Sequence, residues 1–345
     1  MNDFQIPLFQ ALIVTLLLST LLNYLILKYS KNINIKKRNQ DEKRLSTQRI
    51  PPFGGIACSL AFLISTRLIG KADDNFIFIG IFAVIISLLG VFDDIYNLRW
   101  YIKLFFQIIL VFYPLYNLNL FLNIESFLGF DLNNNLNYLG STLWIIIIIN
   151  AVNLIDNMDG LAVVVAGGIC LQIAFLANYL DQYKITDISL ILFATIIGFF
   201  IFNFPPAKLY LGDSGSLFIG YCLGFISILF NWTPVDNTIY TSFINPMLLF
   251  FTIPLLDLLI VTSHRIGSGI SPTTGGTDHI SHRLLASNLS EVKVLTYFAI
   301  YSLLSFSLIL ISIVANESIA FGVLIVLLIL FVLTFLKIRK MKILD

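Results

Sequence analysis

The sequence is poor in charge. Of its 345 residues only 12% are Asp, Glu, Lys or Arg, while 58% are hydrophobic. Soluble domains carry about 25% charged residues, so a chain of this length has too little polar surface to cover a water-soluble globule. A soluble enzyme, a coiled coil and a disordered chain are excluded. Cysteine is also scarce. Cys58, Cys170 and Cys222 are the only three, and each sits in an apolar run. None has metal-ligand spacing, so they read as small core hydrophobes and not as a disulfide scaffold or a redox pair. The net charge of +1 comes without a clustered basic domain, and no nucleic-acid partner is expected. Met1-Asn2-Asp3 lacks the basic start of a signal peptide. The first apolar run also exceeds the ~7–15 residues of a signal-peptide core, so it reads as a retained spanning helix.

What the chain has in quantity is long apolar runs, with a mean hydropathy of +0.90. A spanning helix needs about 20 mostly apolar residues. Eleven candidates run approximately over 6–28, 53–70, 76–92, 101–122, 139–155, 161–180, 186–204, 214–231, 241–263, 292–314 and 318–336. The expected fold is therefore all-α, a single polytopic domain over 1–345 embedded in the lipid bilayer. With the N-terminus outside, the segments on the inner side receive eighteen of the 21 Lys and Arg residues, against Arg67, Lys71 and Lys184 outside. Positive charge collects on the cytoplasmic side, so this orientation, with a cytoplasmic C-terminus, is the one expected. It makes 30–52 a basic cytoplasmic loop and 264–291 a cytoplasmic Arg/His loop.

On that side the polar residues gather in four clusters at helix ends. In the first, Asp93-Asp94 closes the third span, and Arg99, Lys103 and Gln107 recur at i, i+4 and i+8 on the fourth. That spacing holds them on one helical face over about 12 Å. Paired carboxylates can hold Mg²⁺ or take a proton, and a basic stripe at the lipid boundary can hold a phosphate. A helix cap with snorkelling cations would look the same. The second cluster, Asn153-Leu154-Ile155-Asp156-Asn157-Met158-Asp159-Gly160, occupies a break between two helices. One aspartate would suffice as an N-cap, which leaves Asn153 and the other aspartate to be explained.

In the third cluster, Asn203-Phe204-Pro205-Pro206-Ala207-Lys208 leads into Gly212-Asp213-Ser214-Gly215-Ser216. A Gly/Ser turn feeding a helix N-terminus offers backbone N–H groups to an anion, and Asp213 could bring a divalent cation to the same phosphates. A plain Gly-Ser turn is the bland reading. The fourth holds all three histidines of the chain, His264, His279 and His282, with Arg265 and Arg283 in a glycine-rich loop. Arg and His suit a sugar diphosphate. Zinc at His279 and His282 would lack thiols or a third spaced histidine. Asp257, inside the ninth span, is either a functional carboxylate or a protonated packing residue.

Together the clusters resemble the polyprenyl-phosphate N-acetylhexosamine-1-phosphate transferases, glycosyltransferase family 4. The double-Asp motif matches Asp93-Asp94 with Arg99, Lys103 and Gln107, and Asn-x-x-Asp-x-x-Asp-Gly matches Asn153, Asp156, Asp159 and Gly160. Pro206 through Ser216 match a Pro-Ala-Lys…Gly-Asp-x-Gly-Ser stretch, Arg265 through Arg283 match the histidine loop, and Gly54-Gly55 resembles the end of the first cytoplasmic loop. The histidine loop is similar to that of the undecaprenyl-phosphate GlcNAc-1-phosphate branch, usually His-Ile-His-His. Here Ser281 replaces one histidine in His279-Ile280-Ser281-His282. The three-histidine run of the phospho-N-acetylmuramoyl-pentapeptide branch is missing.

The resemblance implies transfer of a sugar-1-phosphate, GlcNAc-1-phosphate first among the candidates, from a UDP-N-acetylhexosamine to undecaprenyl phosphate. UMP is released, and the product starts a lipid-linked envelope glycan at the bacterial cytoplasmic membrane. It further implies Mg²⁺, with Mn²⁺ as a substitute, on Asp213 and Asp93, and catalysis by Asp93 and Asp94. Substrate contacts would come from Lys103, Asn153, Asp156, Asp159, Asn203, Lys208, Arg265, His279, His282 and Arg283. A homodimer is compatible with these features. A transporter would place its ionisable residues near the midplane, where this sequence has only Asp257, and the signature of CDP-alcohol phosphatidyltransferases is absent.

Overall fold

The computed structural model describes residues 7–30, 50–68, 74–122, 134–231, 247–314 and 317–341. The described residues are helical, with no strands among them. In chain order the helices are α1 (Leu8–Ser30), α2 (Gly54–Leu68), α3 (Asp74–Tyr96), α4 (Trp100–Asn117), α5 (Asn134–Ile155), α6 (Leu161–Tyr179), α7 (Tyr183–Asn203), α8 (Gly212–Leu229), α9 (Met247–Phe250), α10 (Thr252–Gly267), α11 (Ile280–Ala286), α12 (Glu291–Val314) and α13 (Glu317–Arg339). Each of the eleven predicted segments falls on a helix. Among the described residues seven helices, α1, α3, α5, α6, α7, α8 and α12, are long and apolar enough to cross a membrane. The other four segments fall on α2, α4, α10 and α13. At 15 and 16 residues, α2 and α10 are shorter than the ~20 residues of a full crossing. Most of the predicted basic loop, 31–49, lies outside the described residues.

α8 is the hub. Every residue from Gly212 to Ser227 is buried, as expected for a helix that is apolar on all sides. α3 and α5 pack most extensively against it, α6 packs against α7, and α1 lies against α2 and α7. The periphery is apolar and exposed, with Phe9, Leu17 and Leu21 on α1 and Trp100, Phe105 and Tyr116 on α4. Such a surface suits lipid. Between helices, short polar side chains act as bridges: Ser19 Oγ donates to Thr195 O, Gln172 Nε2 to Ser302 Oγ, and Trp144 Nε1 to Ser227 Oγ.

The N-terminal turn of α8 is approached by backbone on two sides. A Cβ on Gly55 would come within 1.9 Å of Gly215 N, and one on Gly90 within 2.4 Å of Ser214 Cα. The extended segment before α2 pairs with the segment before α8: Tyr210 N donates to Pro51 O, Gly54 N to Tyr210 O and Gly55 N to Leu211 O. Gly212, at φ +70°, would meet Pro52 O at 2.2 Å if it carried a side chain. Gly55→Ala is therefore expected to cost about 1–3 kcal/mol or more through overpacking against rigid backbone. Gly267→Ala, with nothing within 4 Å of its Cβ, should stay within about 0.5 kcal/mol of wild type. Thermal unfolding in detergent checks the pair, and equal midpoints would refute the close approach.

Candidate active site

The local sequence supplies no cap for α8: Leu211 at the N-cap makes no side-chain hydrogen bond. The cap arrives from the end of α3. Asp94 Oδ1 accepts Asp213 N at 3.2 Å and Asp94 Oδ2 accepts Ser214 N at 3.3 Å. A carboxylate on the free N–H groups of a helix N-terminus is stabilised by both the hydrogen bonds and the helix dipole. The same contact fixes where Asp213 sits. Asp94, expected to be catalytic, here holds the first turn of α8 and with it the position of Asp213.

Asp213 is the point on which the first three clusters converge. Its Oδ1 accepts Asn153 Nδ2 at 3.1 Å, and its Oδ2 lies 2.8 Å from Lys103 Nζ. Asn153 also donates to Ser216 Oγ at 2.7 Å. Lys103 reaches Asp93 Oδ2 at 3.0 Å as well, while Asp93 Oδ1 accepts Leu98 N at 2.9 Å. Asp93 and Asp213 are 3% and 7% exposed, a burial that charges tolerate only when paired. The predicted stripe sinks into the bundle as it descends α4: Arg99 is exposed, Lys103 half-buried and Gln107 buried. Gln107 Oε1 accepts Asn150 Nδ2 at 3.0 Å.

Other predicted residues hold the loops in shape. Asp159 Oδ2 accepts Ala207 N at 2.9 Å. Asn203 spends both ends of its amide internally, accepting Gly160 N at 2.9 Å and donating to Leu209 O at 3.0 Å. It therefore ties the α5–α6 turn to the α7–α8 connection, where direct substrate contact was expected. Asp156 is half-buried and Lys208 exposed.

The Arg/His loop is built largely on its own cations. Arg265 forks Asp278, with Nε–Oδ2 at 2.9 Å and Nη2–Oδ1 at 2.7 Å, and its Nη1 donates to Pro272 O and Thr274 O. Burial pushes the Asp278 carboxyl up, but the hydrogen bonds and charge of Arg265 outweigh it and hold the group below its ordinary value. Arg283 donates Nε to Asp278 O and Nη1 to Ile338, Arg339 and Met341 O, so it caps the C-terminal end of α13. Both arginines were expected on a diphosphate. In this structure Arg265 gives its donors to the carboxylate of Asp278 and to backbone carbonyls. Arg283 gives Nε and Nη1 to backbone carbonyls, where a guanidinium suits a helix C-terminus, and keeps Nη2 buried without a hydrogen-bond partner.

The histidines are placed differently. His279 Nδ1 is 2.8 Å from Asp257 Oδ2, and Asp257 Oδ1 accepts Ile280 N at 2.8 Å. With Asp257 as the acceptor, Nδ1 carries the hydrogen and Nε2 is the ring's remaining nitrogen. This gives Asp257, left open by the sequence, an orienting role. The rings of His279 and His282 lie 6.0 Å apart. Ser281 Oγ donates to Asn157 Oδ1 and docks α11 on the α5–α6 turn. Asp278, Asn157 and Ser216 had no assigned role in the sequence reading. Only their place inside the clusters marked them.

Fold and site together define a polytopic membrane protein in which Asp93, Asp94, Lys103 and Asp213 meet at one end of the helices. The family model described as Glycosyl transferase family 4 matches residues 76–231. The Bacillus subtilis (strain 168) protein named probable undecaprenyl-phosphate N-acetylglucosaminyl 1-phosphate transferase is 30% identical over 308 residues, 86% of this chain and 84% of that one. The phospho-N-acetylmuramoyl-pentapeptide-transferase of Endomicrobium trichonymphae is 28% identical over 353 residues, 89% of this chain and 94% of that one. A decaprenyl-phosphate N-acetylglucosaminephosphotransferase of Mycolicibacterium smegmatis is 34% identical over a shorter stretch, 40% of this chain and 38% of that one. The chain belongs to glycosyl transferase family 4.

The Asp257–His279 contact makes a sharp expectation. Asp257→Asn turns the acceptor into an amide donor, which would move the proton of His279 to Nε2. Asp257→Asn and His279→Ala should each lower kcat/KM, and the double variant should fall short of the summed losses by ~0.5–3 kcal/mol. Additive losses would show that the two residues act separately.

Proposed function

We propose that this protein transfers N-acetylhexosamine-1-phosphate, with GlcNAc-1-phosphate as the preferred group, from a UDP-sugar to undecaprenyl phosphate, releasing UMP. The observation that carries this reading is the convergence of Asp93, Lys103 and Asn153 on Asp213 at the buried N-terminus of α8. A phosphate oxygen of the lipid attacks the phosphorus that bears the sugar, and the bond from that phosphorus to the oxygen it shares with UMP breaks. Both reactants are anions, so the protein's task is positioning and charge stabilisation. Lys103 supplies a mobile positive charge for the phosphates, and Asn153 orients Asp213. His279, held by Asp257, presents Nε2 toward the donor, while Arg265 and Asp278 keep the loop that carries it in shape.

The donor set suits a hard divalent cation. Asp93 and Asp213 bring carboxylate oxygens to one point, and Mg²⁺ is typically held by one or two carboxylates together with substrate phosphates. No group of three His, Cys, Asp or Glu side chains gathers among the described residues, so substrate oxygens would complete the coordination. Mg²⁺ or Mn²⁺ held there would neutralise charge on the transferring phosphoryl group. The basic residues favour a cytoplasmic site, at the face where a nucleotide sugar arrives and the lipid phosphate is exposed. In that setting the product starts a cell-envelope glycan.

The Endomicrobium relative keeps a muramoyl-pentapeptide donor as the second reading, since the match covers 94% of that protein. Release of UMP by the purified protein, with undecaprenyl phosphate and a panel of UDP-GlcNAc, UDP-GalNAc and UDP-MurNAc-pentapeptide, separates the two. UDP-GlcNAc should turn over fastest, and Asp213→Asn should lose about 10²–10³-fold in kcat, the scale of a lost transition-state contact. Turnover of the pentapeptide donor alone would replace the first reading with the second.

A further inference from the structure

Asp93 and Asp213 divide their oxygens in the same way. In each, Oδ1 is anchored by a protein N–H group, Leu98 N for Asp93 and Asn153 Nδ2 for Asp213. In each, Oδ2 is turned to a common point, and the ammonium of Lys103 sits at that point, 3.0 and 2.8 Å away. The three side chains are 5%, 10% and 14% exposed for Asp93, Asp213 and Lys103. Two oxygens fixed from behind and aimed at one position make a cation site, and this one is addressed by a cation that belongs to the chain. An ammonium and a divalent ion cannot both occupy the point between these two oxygens, where Mg²⁺ would require contacts of about 2.0–2.1 Å and Lys103 Nζ now sits.

We propose that Lys103 is a built-in competitor for the divalent cation on Asp93 and Asp213, and that it leaves this position for a substrate phosphate when the metal binds. The inference rests on the proposed reaction for the identity of that phosphate, but the competition itself concerns only this chain and the metal. Charge favours such an exchange. One ammonium leaves the carboxylate pair with a net negative charge, which a divalent ion cancels. The flexible four-carbon stem of lysine lets its point charge move, as a forked guanidinium would not. Lys103 bonds these two carboxylates, in contrast to Arg265 and Arg283, whose donors hold the loop. Phosphate and metal would then bind with positive coupling. An anion that draws Lys103 away vacates the carboxylates, and by linkage a metal that displaces Lys103 tightens the anion.

Titration of the full-length protein in detergent with Mn²⁺ alone, read by electron paramagnetic resonance, tests this without either substrate. Lys103→Met should bind Mn²⁺ more tightly than wild type, by about tenfold or more, because a buried pair of carboxylates has lost its neutralising partner. Should Lys103→Met fail to fold, Lys103→Gln, which keeps N–H donors for both oxygens and removes the charge, is read in the same way. Asp213→Asn sets the baseline: the tightening should disappear in the Lys103→Met/Asp213→Asn double variant. Unchanged or weaker Mn²⁺ binding in the Lys103 variant overturns the proposal, as does tightening that survives Asp213→Asn. Failure of the proposed reaction would instead appear as absence of UMP release by the wild-type protein, whatever its Mn²⁺ affinity.

Discussion

The carboxylate of Asp94 on the first turn of α8 is the contact from which the centre is organised. α8 is enclosed by its neighbours along most of its length, so the free N–H groups at its N-terminus have no recourse to bulk water, and a buried unpaired donor costs about 1–3 kcal/mol. Asp94 satisfies two of them from 119 and 120 residues away. The glycines at 55, 90 and 212 are what allow α2, α3 and the segment around Pro52 to come close enough. With that turn clamped, Asp213 is fixed, and Lys103, Asn153 and Asp93 are arranged around it. The arrangement around Asp213 is thus downstream of a packing requirement.

A second assembly holds the histidines. Arg265 folds the loop onto Asp278, Arg283 ties α11 to the end of α13, Asp257 orients His279, and Ser281 docks the whole on Asn157. Ser281 occupies a place where the resembling branch usually has histidine. A short hydroxyl there reaches the α5–α6 turn directly, so the substitution contributes a strut in place of an imidazole. Since Asn153 lies in the last turn of α5, just before the turn that carries Asn157, loop and centre are mechanically joined through a few residues.

The sequence made the helices and the clusters legible, because both are statements about composition along the chain. Apolar runs located every long helix, and the rarity of polar residues made their concentration at helix ends stand out. Partnership was not legible. Nothing in the neighbourhood of Asp94 says that it caps a helix more than a hundred residues later, and nothing near Arg283 says that it meets the carbonyls of Ile338 and Arg339. Family likeness could not sort these cases either, since a motif marks a position without stating whether it touches substrate or backbone. Helix length was legible only in part: the run over 241–263 is divided at Phe251 between α9 and α10, and α10 continues to Gly267.

In a membrane protein the sorting has a physical basis. Wherever helices break inside protein, the freed N–H and C=O groups must be satisfied by protein. Here the breaks are at the polar end: the α5–α6 turn, the α7–α8 connection and the loop after α10. The polar residues of those segments therefore serve two ends, and which one dominates can be read from the use of each atom. Asn203 gives both ends of its amide to backbone, and Asp94 gives both oxygens. Such residues hold backbone segments in place. Asp93 and Asp213 each give one oxygen to a protein N–H and turn the other to Lys103. An oxygen paired with a lysine ammonium can change partners without unmaking a helix terminus. That freedom separates residues able to meet a metal or a phosphate from those that hold the frame, although the sequence writes both as adjacent aspartates.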